Sequence, residues 1–293
     1  MQIESLKVFC DLAETESFTK AGFINNVSQS ATSQMITAIE KRFNTHLVER
    51  SKKKFRLTRE GQMLYEYSKQ IVNTYDSLHS NLQQIKDVVS GTLRVATVYS
   101  IGLHSLPPFV KRFLKDYPAV NIHVEYRHAE QVYEDVLSNI VDIGLVAYPN
   151  NHANLAIVPL KSEPLVLVCP PAHPLSGKSD ITLDQLKGAD MVGFGTDTPT
   201  RKALDKVFRH QKVAVNYKAS YDNIETLKRA VEIGTGIAVL SACTVEKEVS
   251  AGLLCAIPFQ GGTLSRPQGA IYKTTKFMTP AVKHFISVLQ ETE

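Results

Sequence analysis

One pattern constrains this chain more than any other. Leu64, Tyr67, Ile71, Tyr75, Leu78, Leu82, Ile85 and Val89 follow one another at intervals of three or four residues, with no glycine or proline among them. That spacing predicts a long helix with a single apolar stripe close to a heptad seam. The helix could pack on its own module, but the sixty or so residues before it are too few to cover it. The seam therefore predicts a dimerisation helix, with Leu64, Tyr67, Ile71, Leu78 and Leu82 as contact residues. It also divides the 293 residues into a module at 1–58, a linker helix at 59–90 and a larger domain at 91–293, in keeping with a chain of about two domains.

Charge is distributed along the same division. The net charge of +4, from 33 basic and 29 acidic residues, is too mild to imply a nucleic-acid partner. Yet Lys41, Arg42, Arg50, Lys52, Lys53, Lys54, Arg56 and Arg59 are opposed only by Glu49, so residues 41–59 carry +7. Residues 1–40 carry −3, residues 60–90 carry −2, and the remaining 203 carry +2. Alone, such a run is as consistent with a solvated loop as with phosphate contact. Its neighbours shift the balance.

Ile3, Leu6, Phe9 with Cys10, and Ala13 recur at helical spacing. Ser17 is a helix cap before Phe18–Gly22, Asn25-Asn26 is a turn signal, and Ser28 caps a third helix to about Arg42. On that helix Thr32, Ile36, Ile39 and Phe43 share one face, and Gln29, Ser30, Ser33, Gln34 and Thr37 share another. The second face is short, uncharged and rich in hydrogen-bonding groups. It is either a solvated face or the reading face of a helix-turn-helix, where Gln pairs with an adenine edge. Leu47–Arg50 and Phe55–Leu57 predict two short strands, with Lys52, Lys53 and Lys54 at the tip of a wing that meets phosphate.

The run from Ala13 to Gln62 resembles the N-terminal signature of LysR-type transcriptional regulators. The matching residues are Ser17-Phe18-Thr19 with Ala21, Val27-Ser28-Gln29-Ser30-Ala31 with Ser33, Ile39-Glu40, Leu47, Arg50, and Leu57-Thr58 with Gly61. Gly22, Thr32, Asn44 and Val48 depart from the pattern, at positions that concern packing. The resemblance implies an all-α winged helix-turn-helix and a DNA-facing set of Ser17, Ser28, Gln29, Ser30, Ser33, Gln34, Thr37, Arg50, Lys52, Lys53 and Lys54. It further implies double-stranded DNA with a two-fold operator, and a dimer of dimers.

After Gly91, apolar runs at 93–98, 120–124, 143–147, 165–169, 191–194, 237–240 and 270–272 alternate with helical patterns. This predicts α/β layers with mostly parallel sheets. Gly91–Val95, Tyr117-Pro118, Asp142–Val146, His173-Pro174-Leu175 and Gly234–Ala238 resemble landmarks of the same family. Its effector domain is similar to periplasmic binding proteins, which implies lobe one at about 92–160 plus 266–293 and lobe two at about 161–265.

Two places suit a small ligand. One is Ser100-Ile101-Gly102 after the first strand, and the other is the turn with Thr196 and Thr198 before Pro199. Free amides, hydroxyls and a helix dipole suit an anion or carboxylate there, although Asp197 opposes a negative charge. The family binds effectors at corresponding positions, which favours Ser100, Ile101, Gly102, Thr196 and Thr198. As simple helix caps they fit equally well.

Other classes lack support. The mean hydropathy is −0.11 and no apolar run approaches 20 residues, so no membrane span is expected. The N-terminus lacks a secretory h-region, and the four cysteines have neither zinc nor CxxC spacing. A cytoplasmic protein with no cofactor and no metal is expected. There is no GxGxxG, HExxH or GxSxG motif. A ligand-responsive regulator is therefore the leading expectation; the alternatives are a solute-binding-type sensor or an α/β enzyme carrying a DNA-binding module.

Overall fold

The computed structural model describes residues 2–49, 55–84, 89–262, 264–275 and 278–291. It divides into two compact units, Met1–Thr92 with Ser138–Ile140, and Leu93–Leu137 with Val141–Glu293.

The first unit is helical: α1 (Ile3–Thr15), α2 (Phe18–Ile24), α3 (Gln29–Phe43) and α4 (Arg59–Gln84). Ser17 caps α2 by accepting from the Lys20 amide, and Ser28 caps α3 by accepting from the Ala31 amide. Asn26 turns the chain between them at φ 55°. Asn44 ends α3 at φ 51°, the left-handed conformation that Asn tolerates. Gly22 is required by a close approach of α2 and α3, since a Cβ there would lie 2.7 Å from the Val27 carbonyl oxygen. Phe9, Leu12, Ala21, Ile36, Ile39 and Leu47 form the core, and half-buried Leu64 packs against it. Thr32 takes an apolar position at no cost in unmet polarity, because its hydroxyl donates to the Ser28 carbonyl at 3.1 Å. Phe43 differs from expectation: it is 48% exposed.

The second unit is α/β. Its elements are β1 (Gly91–Thr97), α5 (Pro107–Asp116), β2 (Val120–Tyr126), α6 (Ala129–Leu137), β3 (Ile143–Ala147) and β4 (Leu155–Cys169), then β5 (Asp190–Phe194), α7 (Pro199–His210), β6 (Asn216–Tyr221) and α8 (Ile224–Glu232). They continue with β7 (Ala238–Ser241), α9 (Glu246–Ser250), β8 (Cys255–Pro258), β9 (Ser265–Lys273) and α10 (Pro280–Gln290). The first lobe's sheet runs β2-β1-β3-β9-β4, and β4 continues to pair with β7 and β8 in the second lobe. There β5 pairs with β6 and touches β7 through a Met191–Ile237 bridge.

The sheets are mixed, not mostly parallel. β1–β3 and β5–β6 are parallel, while β9 runs antiparallel to β3 and β4, and β7 and β8 run antiparallel to β4. β4 and β9 are thus the strands that cross between lobes. In the second lobe Leu165, Leu167 and Cys169 pack on one face and Val166 and Val168 on the other. Both faces are covered, which makes 165–169 a continuous apolar run. Among the described residues no helix is long and apolar enough to cross a membrane.

Candidate functional site

In the helical unit, α3 presents Gln29, Ser30 and Gln34 to solvent, with Ser33 and Thr37 half-buried at the edge of the same face. Ser28 and Ser30 hold each other, their hydroxyl oxygens 2.9 Å apart. Ser17 and Ser28 spend their oxygens on helix caps, so their first role is to shape the turn. The hairpin that follows α3 is anchored at its base. Val48 bridges Leu57, the Glu49 amide donates to the Arg56 carbonyl at 2.9 Å, and the Thr58 amide to the Leu47 carbonyl at 3.0 Å. The expected wing contacts Arg50, Lys52, Lys53 and Lys54 lie outside the described residues.

Along α4 the outward stripe consists of Met63, Tyr67, Ile71, Tyr75, Leu78 and Leu82, each 43–60% exposed. Leu64 stands apart from it, turned toward the helical core, and Met63 takes its place. The inward face holds Gly61, Ser68 and Val72. Ion pairs fix α4 to α1, through Lys7–Asp76 at 3.0 Å and Lys69–Glu14.

In the α/β unit a cleft lies between the two lobes, walled by Tyr99, Ser100, Arg127, His128, Ala129, Phe194, Thr198, Thr200, Asp222, Ile224 and Arg266 among others. It brings Ser100 and Thr198 together from opposite lobes. The Thr198 hydroxyl donates to the Gly195 carbonyl at 2.8 Å and caps α7. Three expected residues do not line the cleft. Thr196 sits exposed on the turn before α7. Ile101 is buried and lines a separate cavity. Gly102 is packed so closely that a Cβ would meet Thr97 and Tyr126 at 2.5 and 2.7 Å.

Sequence reasoning missed the main charge in the cleft. Arg266, on β9, is only 4% exposed. One terminal nitrogen donates to Glu163 of β4 at 3.0 Å, and the other to the Ser100 hydroxyl at 2.6 Å. Burial pushes the Glu163 carboxyl up, but the Arg266 charge and hydrogen bonds donated by Ser105, Ser241 and Cys243 outweigh it and hold the group below its ordinary range. Nothing in the local sequence Leu-Ser-Arg-Pro marks this arginine as buried. Arg127 is held by Asp135 at 3.1 Å and by Glu125. On the far side, Arg201 ties α7 to β5 by donating to the Phe194 carbonyl and lies 3.3 Å over the Tyr217 ring. Burial then pushes the Tyr217 hydroxyl up to about 12, against the lowering effect of Arg201. The lobes also touch through His104 and Glu225 at 2.9 Å.

A helix-turn-helix with an exposed polar third helix, followed by a two-lobed domain around a cleft, defines a ligand-responsive DNA-binding protein. Residues 3–62 match the model of the bacterial regulatory helix-turn-helix protein, lysR family, and residues 86–293 match the LysR substrate binding domain. The chain belongs to the LysR family of DNA-binding transcriptional regulators with a ligand-binding substrate domain. It is similar to the HTH-type transcriptional regulator CysL of Bacillus subtilis (strain 168), with 29% identity over 99% of this chain and 97% of the relative. Its fold is similar to a full-length OxyR variant from Pseudomonas aeruginosa, with TM-score 0.75 and 20% identity over 99% of this chain and 98% of that one. It is also similar to full-length CbnR complexed with its target DNA, with TM-score 0.73 and 19% identity over 99% of both chains.

Proposed function

We propose that the protein reads a two-fold operator as a homo-oligomer, through Gln29, Ser30, Ser33, Gln34 and Thr37 of α3 with phosphate contacts from Arg50, Lys52, Lys53 and Lys54. Ser17 and Ser28 set the geometry of that face. The observation that carries this is the α3 face itself. Among the described residues, no side-chain hydrogen bond is found for Gln29 or Gln34, so two exposed amide groups stand free at the start and middle of one helix face. An amide can pair with both edge groups of an adenine. The stripe Tyr67, Ile71, Leu78 and Leu82 joins two copies along α4, and a second interface joins dimers into a tetramer. The module at 1–58, the linker at 59–90 and the domain at 91–293 divide the work into reading, pairing and sensing.

A small molecule in the cleft, touching Ser100 and Thr198, shifts the lobe arrangement and hence the spacing of the paired reading heads. The protein acts in the cytoplasm as a regulator and performs no catalysis; the naming of its relatives as transcriptional regulators supports this. Footprinting of the full chain on its own upstream region tests the reading. Protection with two-fold symmetry is expected, weakened by Gln34→Ala. Equal affinity for that region and for random DNA at physiological salt would overturn it.

A further inference from the structure

Two of the four cysteines face each other across a strand pair. β4 and β8 run antiparallel, and Cys169, the last residue of β4, stands opposite Cys255, the first residue of β8. Both side chains turn to the same face of the sheet, where Cys169 belongs to the second lobe's core and Cys255 packs against it. Both are free thiols. Residues opposite one another on antiparallel strands have Cα atoms about 4.5–5.5 Å apart, inside the roughly 4.4–6.8 Å that a disulfide spans. Their Cβ atoms must still close by about 1 Å. The place of the pair at two strand ends gives room for that: β4 stops at Cys169 with Pro170 next, and Gly252 turns the chain at φ 68° just before β8. The two thiols differ in access. Cys255 is half-buried, whereas Cys169 is fully buried, and burial together with the neighbouring Cys255 pushes its thiol up to about 11. Neither of the other cysteines stands opposite this pair, since Cys10 lies in the helical unit and Cys243 donates to Glu163.

We propose that Cys169 and Cys255 are a reversible disulfide site, closed by exchange with a small-molecule disulfide such as oxidised glutathione. Cys255, the accessible thiol, reacts first. Its thiolate attacks one sulfur of the small disulfide, that S–S bond breaks, and one half leaves as a thiolate that takes up a proton. The Cys169 thiolate then attacks the Cys255 sulfur, the mixed disulfide breaks, and the second half leaves in the same way. Two protein thiols are oxidised to one disulfide, one small disulfide is reduced to two thiols, and the two protein protons pass through water to the leaving thiolates. Few Cys169 thiols are ionised near neutrality, but the sulfur they attack is held beside them, and such proximity offsets a small reactive fraction. The new bond ties β8 to β4 and closes a loop from Cys169 to Cys255 that contains β5, α7, β6, α8, β7 and α9. Most of the second lobe is then fastened to a strand that crosses between the lobes, and its unfolded state is constrained accordingly.

The test is incubation of the reduced full chain with oxidised glutathione, followed by denaturation, thiol titration and peptide mass mapping. The thiol count should fall from four to two, with the Cys169 and Cys255 peptides recovered as one linked pair. Dithiothreitol should restore all four thiols, and the oxidised chain should melt at a higher temperature than the reduced one. Cys169→Ala should retain glutathione on Cys255, because the thiol that displaces it is gone, and Cys255→Ala should leave Cys169 unmodified. Circular dichroism checks the fold of both variants, and the mapping of the unaltered chain decides the matter without them. Four thiols surviving the incubation would overturn the proposal. So would a disulfide made through Cys10 or Cys243 instead, or glutathione that stays on Cys255 of the unaltered chain.

Discussion

Replacing Ile71 with glutamate tests the pairing role of α4 most directly. Ile71 lies mid-stripe and is 48% exposed. Full burial of such a side chain contributes about 1.5–3 kcal/mol, so the half still open offers a partner about 1 kcal/mol, or about 2 for a symmetric pair. Glutamate at both positions also places two carboxylates in the seam, each adding about 1–3 kcal/mol of desolvation. The total, about 4–8 kcal/mol, corresponds to about three to six orders of magnitude in the dissociation constant. The fold of each copy should be unaffected, because Ile71 lies outside the helical core of Phe9, Leu12, Ile36 and Leu47. Sedimentation velocity over a dilution series, with circular dichroism as control, measures both effects. An Ile71→Glu protein that remains folded and dimeric down to the wild-type dissociation concentration would refute the assignment.

Gln29→Ala should cost about 1–3 kcal/mol on the cognate operator and relax preference at one base pair; an equal loss on random DNA would show that Gln29 reads no base. Replacing Lys52, Lys53 and Lys54 with Ala should weaken binding to every duplex and flatten the plot of log affinity against log salt. An unchanged slope would remove the wing from the phosphate contacts. Gly22→Val should destabilise the helical unit, because its Cβ would lie 2.7 Å from the Val27 carbonyl oxygen; a thermal midpoint within error of wild type would contradict the close helix approach. The Glu163 carboxyl is held below its ordinary range, so its stabilisation is complete above that range and fades as pH falls through the lowered value. Melts across pH should show the gap between wild type and Glu163→Gln constant near neutrality and shrinking in acid, and a gap that widens in acid would be the wrong sign.

The helical unit was legible because its signals are local: caps at Ser17 and Ser28, a turn at Asn25-Asn26 and a 3.6-residue apolar period on α3. The seam on α4 was legible for the same reason, except that Leu64 and Met63 exchange roles where the helix passes the core. The first half of β4 was hidden. Pro159, Lys161, Glu163 and Pro164 break both the alternation and the apolar run, and the pairing shifts register between Leu160 and Glu163. β6 alternates exposed and half-buried residues, and β8, with one buried side chain and a proline at its end, lacks an apolar run. In the cleft, Ser100 and Thr198 could be found from helix starts. Arg266 could not, because its partners Ser100 and Glu163 lie 166 and 103 residues away in sequence.

The strand order carries a consequence for synthesis. β9 lies between β3 and β4, yet it follows both by about a hundred residues or more. A nascent chain can assemble the second lobe, whose strands β5 to β8 are contiguous in sequence, while the first lobe still lacks the strand that joins β3 to β4. During that interval the edges of β3 and β4 stand open, and Leu145, Val146 and Ile157 line exposed ladders. The last stretch from Ser265 onward then acts as a keystone, closing the sheet and delivering Arg266 to the cleft in one event. A chain halted before that point would carry an unclosed first-lobe sheet, with two open edges prone to pair with neighbouring chains.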